Sequence, residues 1–123
     1  HRFVELVGRM QRKGVKLLAA SDFGTHPSTV PYPVTHPGPD LHDELELFVR
    51  AGLTPMETLQ TATSGAARHL RVQDRLGTIE VGKEADLVLL NADPLANVAN
   101  TRQIQGVVVR GAFFERRELE TRR

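Results

Sequence analysis

Val15-Lys16-Leu17-Leu18-Ala19-Ala20, followed at once by Ser21-Asp22, is the stretch from which the fold class is read. Five of its first six residues are apolar, and the run is shorter than a helix needs. Bounded by Gly14 and a turn, it predicts a strand buried on both faces, as in parallel sheets. Working upstream, Phe3, Leu6, Val7 and Met10 recur at the spacing of one helical face, and Gly14 stands where that helix should stop. Downstream, a loop rich in proline, glycine and histidine runs to about Asp40, which is expected to cap a second helix. The buried face of that helix is Leu41, Leu45, Phe48 and Val49, and Gly52 ends it.

Thr54-Pro55-Met56-Glu57 reads as a capping box with proline at the first helical position. Met56, Leu59 and Ala62 or Thr63 mark the inner side of the helix it opens, and Ser64 is placed to cap a short further helix with Ala66, Ala67 and Leu70. Helix, strand, long loop and helices make one αβα step of an α/β fold. After Gly77 the pattern changes. Gly77–Lys83 is expected to be a turn-rich strand segment, and Asp86–Leu90 a strand broken by Asp93-Pro94. Ile104–Val109 and Ala112–Phe114 flank Arg110-Gly111 and predict a tight hairpin, followed by a polar tail. The expected organisation is an α/β part over residues 1–76 and a β part over residues 77–123, without internal repeats.

A chain of 123 residues with 40% apolar and 25% charged side chains suits one soluble globular unit. Sixteen basic and fifteen acidic residues leave a net charge near +1, so no global field favours nucleic acid or a membrane surface. Arg116, Arg117, Arg122 and Arg123 form a small basic cluster best read as a solvated tail. Cysteine is absent, which excludes a disulfide framework and fits a cytoplasmic enzyme. No apolar stretch approaches the length of a membrane span. The chain opens on His1 and its first methionine, Met10, falls inside a predicted helix, so it is expected to be part of a longer protein.

The best-placed polar residue is Asp22, at the end of the predicted buried strand. In α/β barrels a carboxylate there faces the active site, whereas Asp22 with Gly24 two residues on is equally an ordinary turn. Asp22-Phe23-Gly24 also spells the magnesium-binding motif of protein kinases, but no His-Arg-Asp precedes it and no Ala-Pro-Glu follows. His26, His36 and His42 invite a metal site, yet spacings of ten and six match no compact ligand motif. His69 sits near a helix end, where an imidazolium suits the dipole. No phosphate-cradling glycine motif and no nucleophile elbow is present.

Leu17–Asp22 with its long loop resembles the last barrel strand of the amidohydrolase superfamily, in its imidazolonepropionase-like and prolidase-like branch. Leu41–Leu47 and Ala51–Glu57 resemble the helix pair that follows. Most specific is Leu76-Gly77-Thr78-Ile79-Glu80-Val81-Gly82-Lys83-Glu84-Ala85-Asp86-Leu87-Val88-Leu89-Leu90, which is similar to the run that returns the family's chain to a small β-sandwich. Val107–Gly111 resembles the final hairpin. The resemblance covers nearly the whole chain. It implies an α/β architecture: the last αβα step of a (β/α)8 barrel, followed by C-terminal strands of the sandwich.

It also implies a hydrolase acting on carbon–nitrogen bonds of a small-molecule amide, dipeptide or cyclic amide, with one or two divalent metals, usually zinc, that activate water. Asp22 then matches the aspartate that takes the proton from that water, delivers it to the leaving nitrogen and can ligate a metal. Ala20-Ser21-Asp22 departs slightly from the family's common Gly-Thr-Asp. The larger departure is absence, for the chain holds no His-x-His and only one candidate barrel strand of the eight required. No metal is therefore expected in the chain on its own, and no activity. Two other readings stand beside this one: a self-associating structural module, and one chain of a split enzyme. A homo-oligomer is expected, with neither nucleic acid nor membrane as partner.

Overall fold

The computed structural model describes residues 2–21 and 38–121. Its architecture is mixed α/β. Helix α1 (Arg2–Arg12) is followed by an extended segment, then α2 (Pro39–Arg50), α3 (Pro55–Ala62) and α4 (Ser64–His69). Strand β1 (Leu87–Leu90), a 3-10 helix (Val98–Arg102), strands β2 (Ile104–Val109) and β3 (Ala112–Glu115), and helix α5 (Arg116–Thr121) complete the order. No helix among the described residues is long and apolar enough to cross a membrane.

Local chemistry accounts for most of these boundaries. Gly14 and Gly52, past the ends of α1 and α2, adopt positive φ of 81° and 106°, the conformation that satisfies orphan carbonyls at little cost to glycine. The capping box at α3 is complete. The Glu57 N–H donates to the Thr54 hydroxyl oxygen at 3.2 Å, and the Thr54 N–H donates to the Glu57 carboxylate at 2.8 Å. Two expected caps fall elsewhere. Gly38 rather than Asp40 precedes α2, because Pro39 takes the first helical position and leaves Asp40 inside the first turn. Ser64 likewise lies within α4, and the flanking Thr63 makes no capping bond with its side chain.

The sheet is three-stranded and antiparallel in the order β1-β2-β3. Val109 pairs with Ala112 across Arg110 and Gly111, whose φ of 50° and 82° are those of a two-residue primed turn. The Asp86 carboxylate accepts the Arg110 backbone N–H at 2.7 Å and so fastens the hairpin tip to the start of β1. Glycine is required at position 106 because the Phe113 ring, two residues along β3 from its cross-strand partner Glu115, lies against it: a Cβ there would sit 2.7 Å from that ring. The core lies where α2, α3 and α4 meet the 3-10 helix, and holds Leu45, Phe48, Leu53, Ala67 and Val98 with Thr58, Thr61 and Thr101.

Three expectations are corrected. Val15–Ala20 is extended but joins no sheet among the described residues: the Val15 N–H donates back to the Met10 carbonyl at 3.1 Å and the Ala19 N–H to the Thr61 carbonyl at 3.3 Å. A strand apolar on both faces needs strands on either side, and the three strands present lie in a separate antiparallel sheet; Val15 is left 45% exposed. Gly77–Lys83 forms turns and no strand, held by bonds from Lys83 Nζ to Thr78 and Glu80. The polar tail after Glu115 is helical through Thr121, with the Glu118 carboxylate accepting the Glu115 N–H at 3.3 Å.

Candidate functional site

Asp22, the residue singled out for catalysis, lies outside the described residues, as do His26 and His36. What is described is the approach to it. Leu17, Leu18 and Ala19 are half-buried, Ser21 is half-buried, and the Ala19–Thr61 bond ties this segment to α3. A cleft of about 500 Å³ opens beside the segment, between it and α3 and α4. Its polar lining is Gln11, Lys16, Glu57, Gln60, Arg68 and His69, with Leu17, Leu18 and Leu53 supplying apolar surface. Gln11 Nε2 donates to Glu57 across the mouth at 3.3 Å.

The remaining histidines separate. His69 is exposed at the end of α4 on the rim of this cleft. His42 is on α2 with Nδ1 2.9 Å from the Thr101 hydroxyl, so it belongs to the joint between α2 and the 3-10 helix. Among the described residues no three His, Cys, Asp or Glu side chains come together to hold a metal ion. These residues do not fit a catalytic divalent-metal site, which takes three protein ligands.

Electrostatics are concentrated away from the cleft. Arg102 reaches from the 3-10 helix to two carboxylates of α2, with Nε 3.0 Å from Glu46 and Nη2 bonded to Asp43. The bond to Glu46 is the chief cause that holds the guanidinium above its ordinary pKa. His42 is pushed below its ordinary value, first by burial and then by Arg102. Glu44, also on α2, is pushed up by burial. None of these roles was read from the sequence. Asp43 and Glu46 share a face of α2 at i and i+3, but the arginine they meet is more than fifty residues away in the chain.

The similarity to the amidohydrolases can now be placed on this geometry. The model of the amidohydrolase family matches residues 4–113, from α1 to the second strand of the hairpin. The chain belongs to that family, whose members are generally metal-dependent. Among curated proteins it is 34% identical over 90 residues to an imidazolonepropionase of Shewanella oneidensis, covering 73% of this chain and 20% of that one. Among solved structures it superposes on molinate hydrolase with a TM-score of 0.77 at 32% identity, over 89% of this chain and 26% of that one. A prolidase described as putative, from Bifidobacterium longum, gives a TM-score of 0.74 at 32% identity, over 90% and 26%. The chain thus spans about a quarter of these structures and a fifth of the curated relative.

Proposed function

We propose that residues 1–123 are the C-terminal part of an amidohydrolase that hydrolyses a carbon–nitrogen bond in a small amide, dipeptide or cyclic amide, and that Asp22 moves the proton. The observation that carries this reading is the family match from residue 4 to residue 113, which encloses Asp22 and the extended segment leading to it. In this reading Val15–Ala20 is the last strand of a (β/α)8 barrel, residues 1–76 end the barrel, and residues 77–123 supply strands of a β-sandwich. The two solved structures named above are called a hydrolase and a prolidase, which supports the reaction class and leaves the substrate open among amides and dipeptides.

Asp22 has a chemical role that needs only its own carboxylate. An ionised carboxylate accepts a proton from the attacking water, and the resulting acid returns it to the nitrogen as the bond breaks. One group serves both steps because its protonation state is reset in each turnover. The described residues provide no ligand set for a divalent metal. A metal, zinc in the usual case, is accordingly assigned to the whole protein, with ligands from outside the described residues, and the chain on its own is inactive. Soluble, cytoplasmic and homo-oligomeric is the state proposed for the whole protein.

The test is Asp22→Asn in the intact protein, assayed against dipeptides and cyclic amides. Asparagine is nearly isosteric and carries no titrating proton, so kcat should fall by at least ~10² with an unchanged circular dichroism spectrum. Turnover close to the wild-type value would remove Asp22 from the mechanism.

A further inference from the structure

The helices and the sheet are joined through the 3-10 helix, which packs on α2 and more lightly on α3. At this joint the direction of the hydrogen bonds can be worked out. The Thr101 hydroxyl donates to the Val98 carbonyl at 2.8 Å, and the same oxygen lies 2.9 Å from His42 Nδ1. A hydroxyl has one proton to give. With that proton committed to Val98, the oxygen faces His42 as an acceptor, and Nδ1 must be the donor. A proton given to Nδ1 instead would leave the Val98 contact without one, so the arrangement that satisfies both contacts makes Nδ1–H the favoured tautomer and Nε2 the nitrogen that takes a further proton.

Among the described residues the charges around the ring are those of Arg102 from the 3-10 helix and of Asp43 and Glu46 from α2. Both carboxylates already pair with Arg102. A proton on His42 would set a second cation beside that guanidinium, in competition for the same two carboxylates. Here we propose that His42, Thr101 and Arg102 form a proton-sensitive pin between the helices and the sheet, seated while His42 is neutral and loosened when Nε2 is protonated. Nothing in this inference depends on the hydrolase reading.

The sign of the pH effect follows from the causes acting on the ring. Burial and Arg102 hold the pKa of His42 below its ordinary value, with Asp43 and Glu46 opposing them. A histidine depressed in the folded state contributes stability that is complete above about pH 6.5, its unfolded value, and is lost as pH falls through the folded value.

The experiment uses histidine-labelled protein and nitrogen-15 NMR, with His42 assigned from its loss in His42→Gln. At pH 8 the expected tautomer is Nδ1–H, and the expected titration midpoint is below about 6.5. An Nε2–H tautomer, or a midpoint at or above that value, overturns the proposal. Amide exchange over residues 98–103, corrected for intrinsic chemistry, should also accelerate by up to about tenfold per pH unit once pH drops below 6.5, the limit for one linked proton. Glutamine keeps an N–H donor for Thr101 but does not titrate, so the acceleration should vanish in His42→Gln. Its absence in the wild type, or its persistence in the variant, overturns the pin. Should the variant fail to fold, the wild-type tautomer and midpoint still decide.

Discussion

Leu45 and Phe48 on α2 are 4% and 6% exposed, whereas Phe3 and Leu6 on α1, equally apolar and equally spaced, are 84% and 50% exposed. Both helices carry an amphipathic stripe. The stripe of α2 meets α3 and the 3-10 helix, whereas α1 packs on α2 and still leaves Phe3, Leu6 and Met10 exposed among the described residues. A close approach of α1 is at Gly8, where a Cβ would come within 2.2 Å of the Ala51 carbonyl oxygen. Periodicity therefore tells which face of a helix seeks cover. It does not tell whether the cover lies in the same stretch of chain. For a chain matching a quarter of its structural relatives, that distinction decides which residues hold this piece together and which await other surface.

The most direct way to break the comparison is to truncate one phenylalanine from each helix. Phe48→Ala should destabilise the chain by about 3–5 kcal/mol, the usual cost of emptying a packed aromatic site. Phe3→Ala should change it by less than about 0.5 kcal/mol, as at other exposed positions. Urea denaturation of the two variants measures both. Equal losses would mean that the stripe of α1 is covered after all.

A second prediction sharpens the meaning of the exposed face. Phe3, Leu6 and Met10 on α1, with Val88 on the edge strand β1 and Phe113 on β3, leave apolar surface open on a helix and on the sheet. Each such side chain stands to gain roughly 1.5–3 kcal/mol on burial, so a few suffice to drive association. Among the described residues the outer edge of β1 pairs with no further strand, and such an edge is open to association. Light scattering over a dilution series should give a mass above 13.6 kDa that falls on dilution. A constant mass of 13.6 kDa would show that the open faces do not associate.

The same contrast explains what could be read in advance. The caps at Gly14, Gly52 and Thr54 and the hairpin at Arg110-Gly111 were legible because a few adjacent residues determine them. Of Val15–Ala20 only the extended backbone was legible, because a strand is defined by its neighbours, and a run of apolar side chains cannot say whether those neighbours are present. The 3-10 helix Val98–Arg102 gave no signal, being a single turn whose Asn97 side chain caps the Ala99 N–H at 3.0 Å. The α5 helix was hidden by its charges, since Glu118 stabilises the first turn without any apolar stripe. Of the candidate site, Asp22 could be proposed from its motif alone, whereas the pairing of His42 with Thr101 spans 59 residues and has no local signature.

Within the well-packed region there is one poorly matched group. Thr58 is fully buried, and its hydroxyl has no hydrogen-bond partner among the described residues. Its neighbours Thr61 and Thr101 satisfy theirs on the carbonyls of Thr58 and Val98. Valine has nearly the shape of threonine without the hydroxyl, so Thr58→Val should stabilise the chain by about 1–2 kcal/mol through release of the desolvation cost. A loss of stability on that change would reveal a partner for the hydroxyl, and the core would be better matched than its bonds indicate.

The smallest expected effect tests the boundary between the two regions, at the start of α3. There the Thr54 N–H and hydroxyl both donate to the same Glu57 carboxylate oxygen, at 2.8 and 2.9 Å. They hold the Glu57 pKa below its usual value, the backbone bond first and the hydroxyl second. Thr54→Ala removes the side-chain half of the box and should cost about 1 kcal/mol. The carboxylate half is separable by pH. A depressed carboxyl contributes stability that is present above its unfolded pKa, about 4.3, and is lost as pH falls through the folded value. Wild type should therefore exceed Glu57→Gln in stability at pH 7, and the gap should close as pH falls below 4, where the wild-type carboxyl is protonated too. Thermal melts of the pair from pH 7 to pH 3 measure it. A gap that stays constant over that range would mean that the charge of Glu57 does not set the difference.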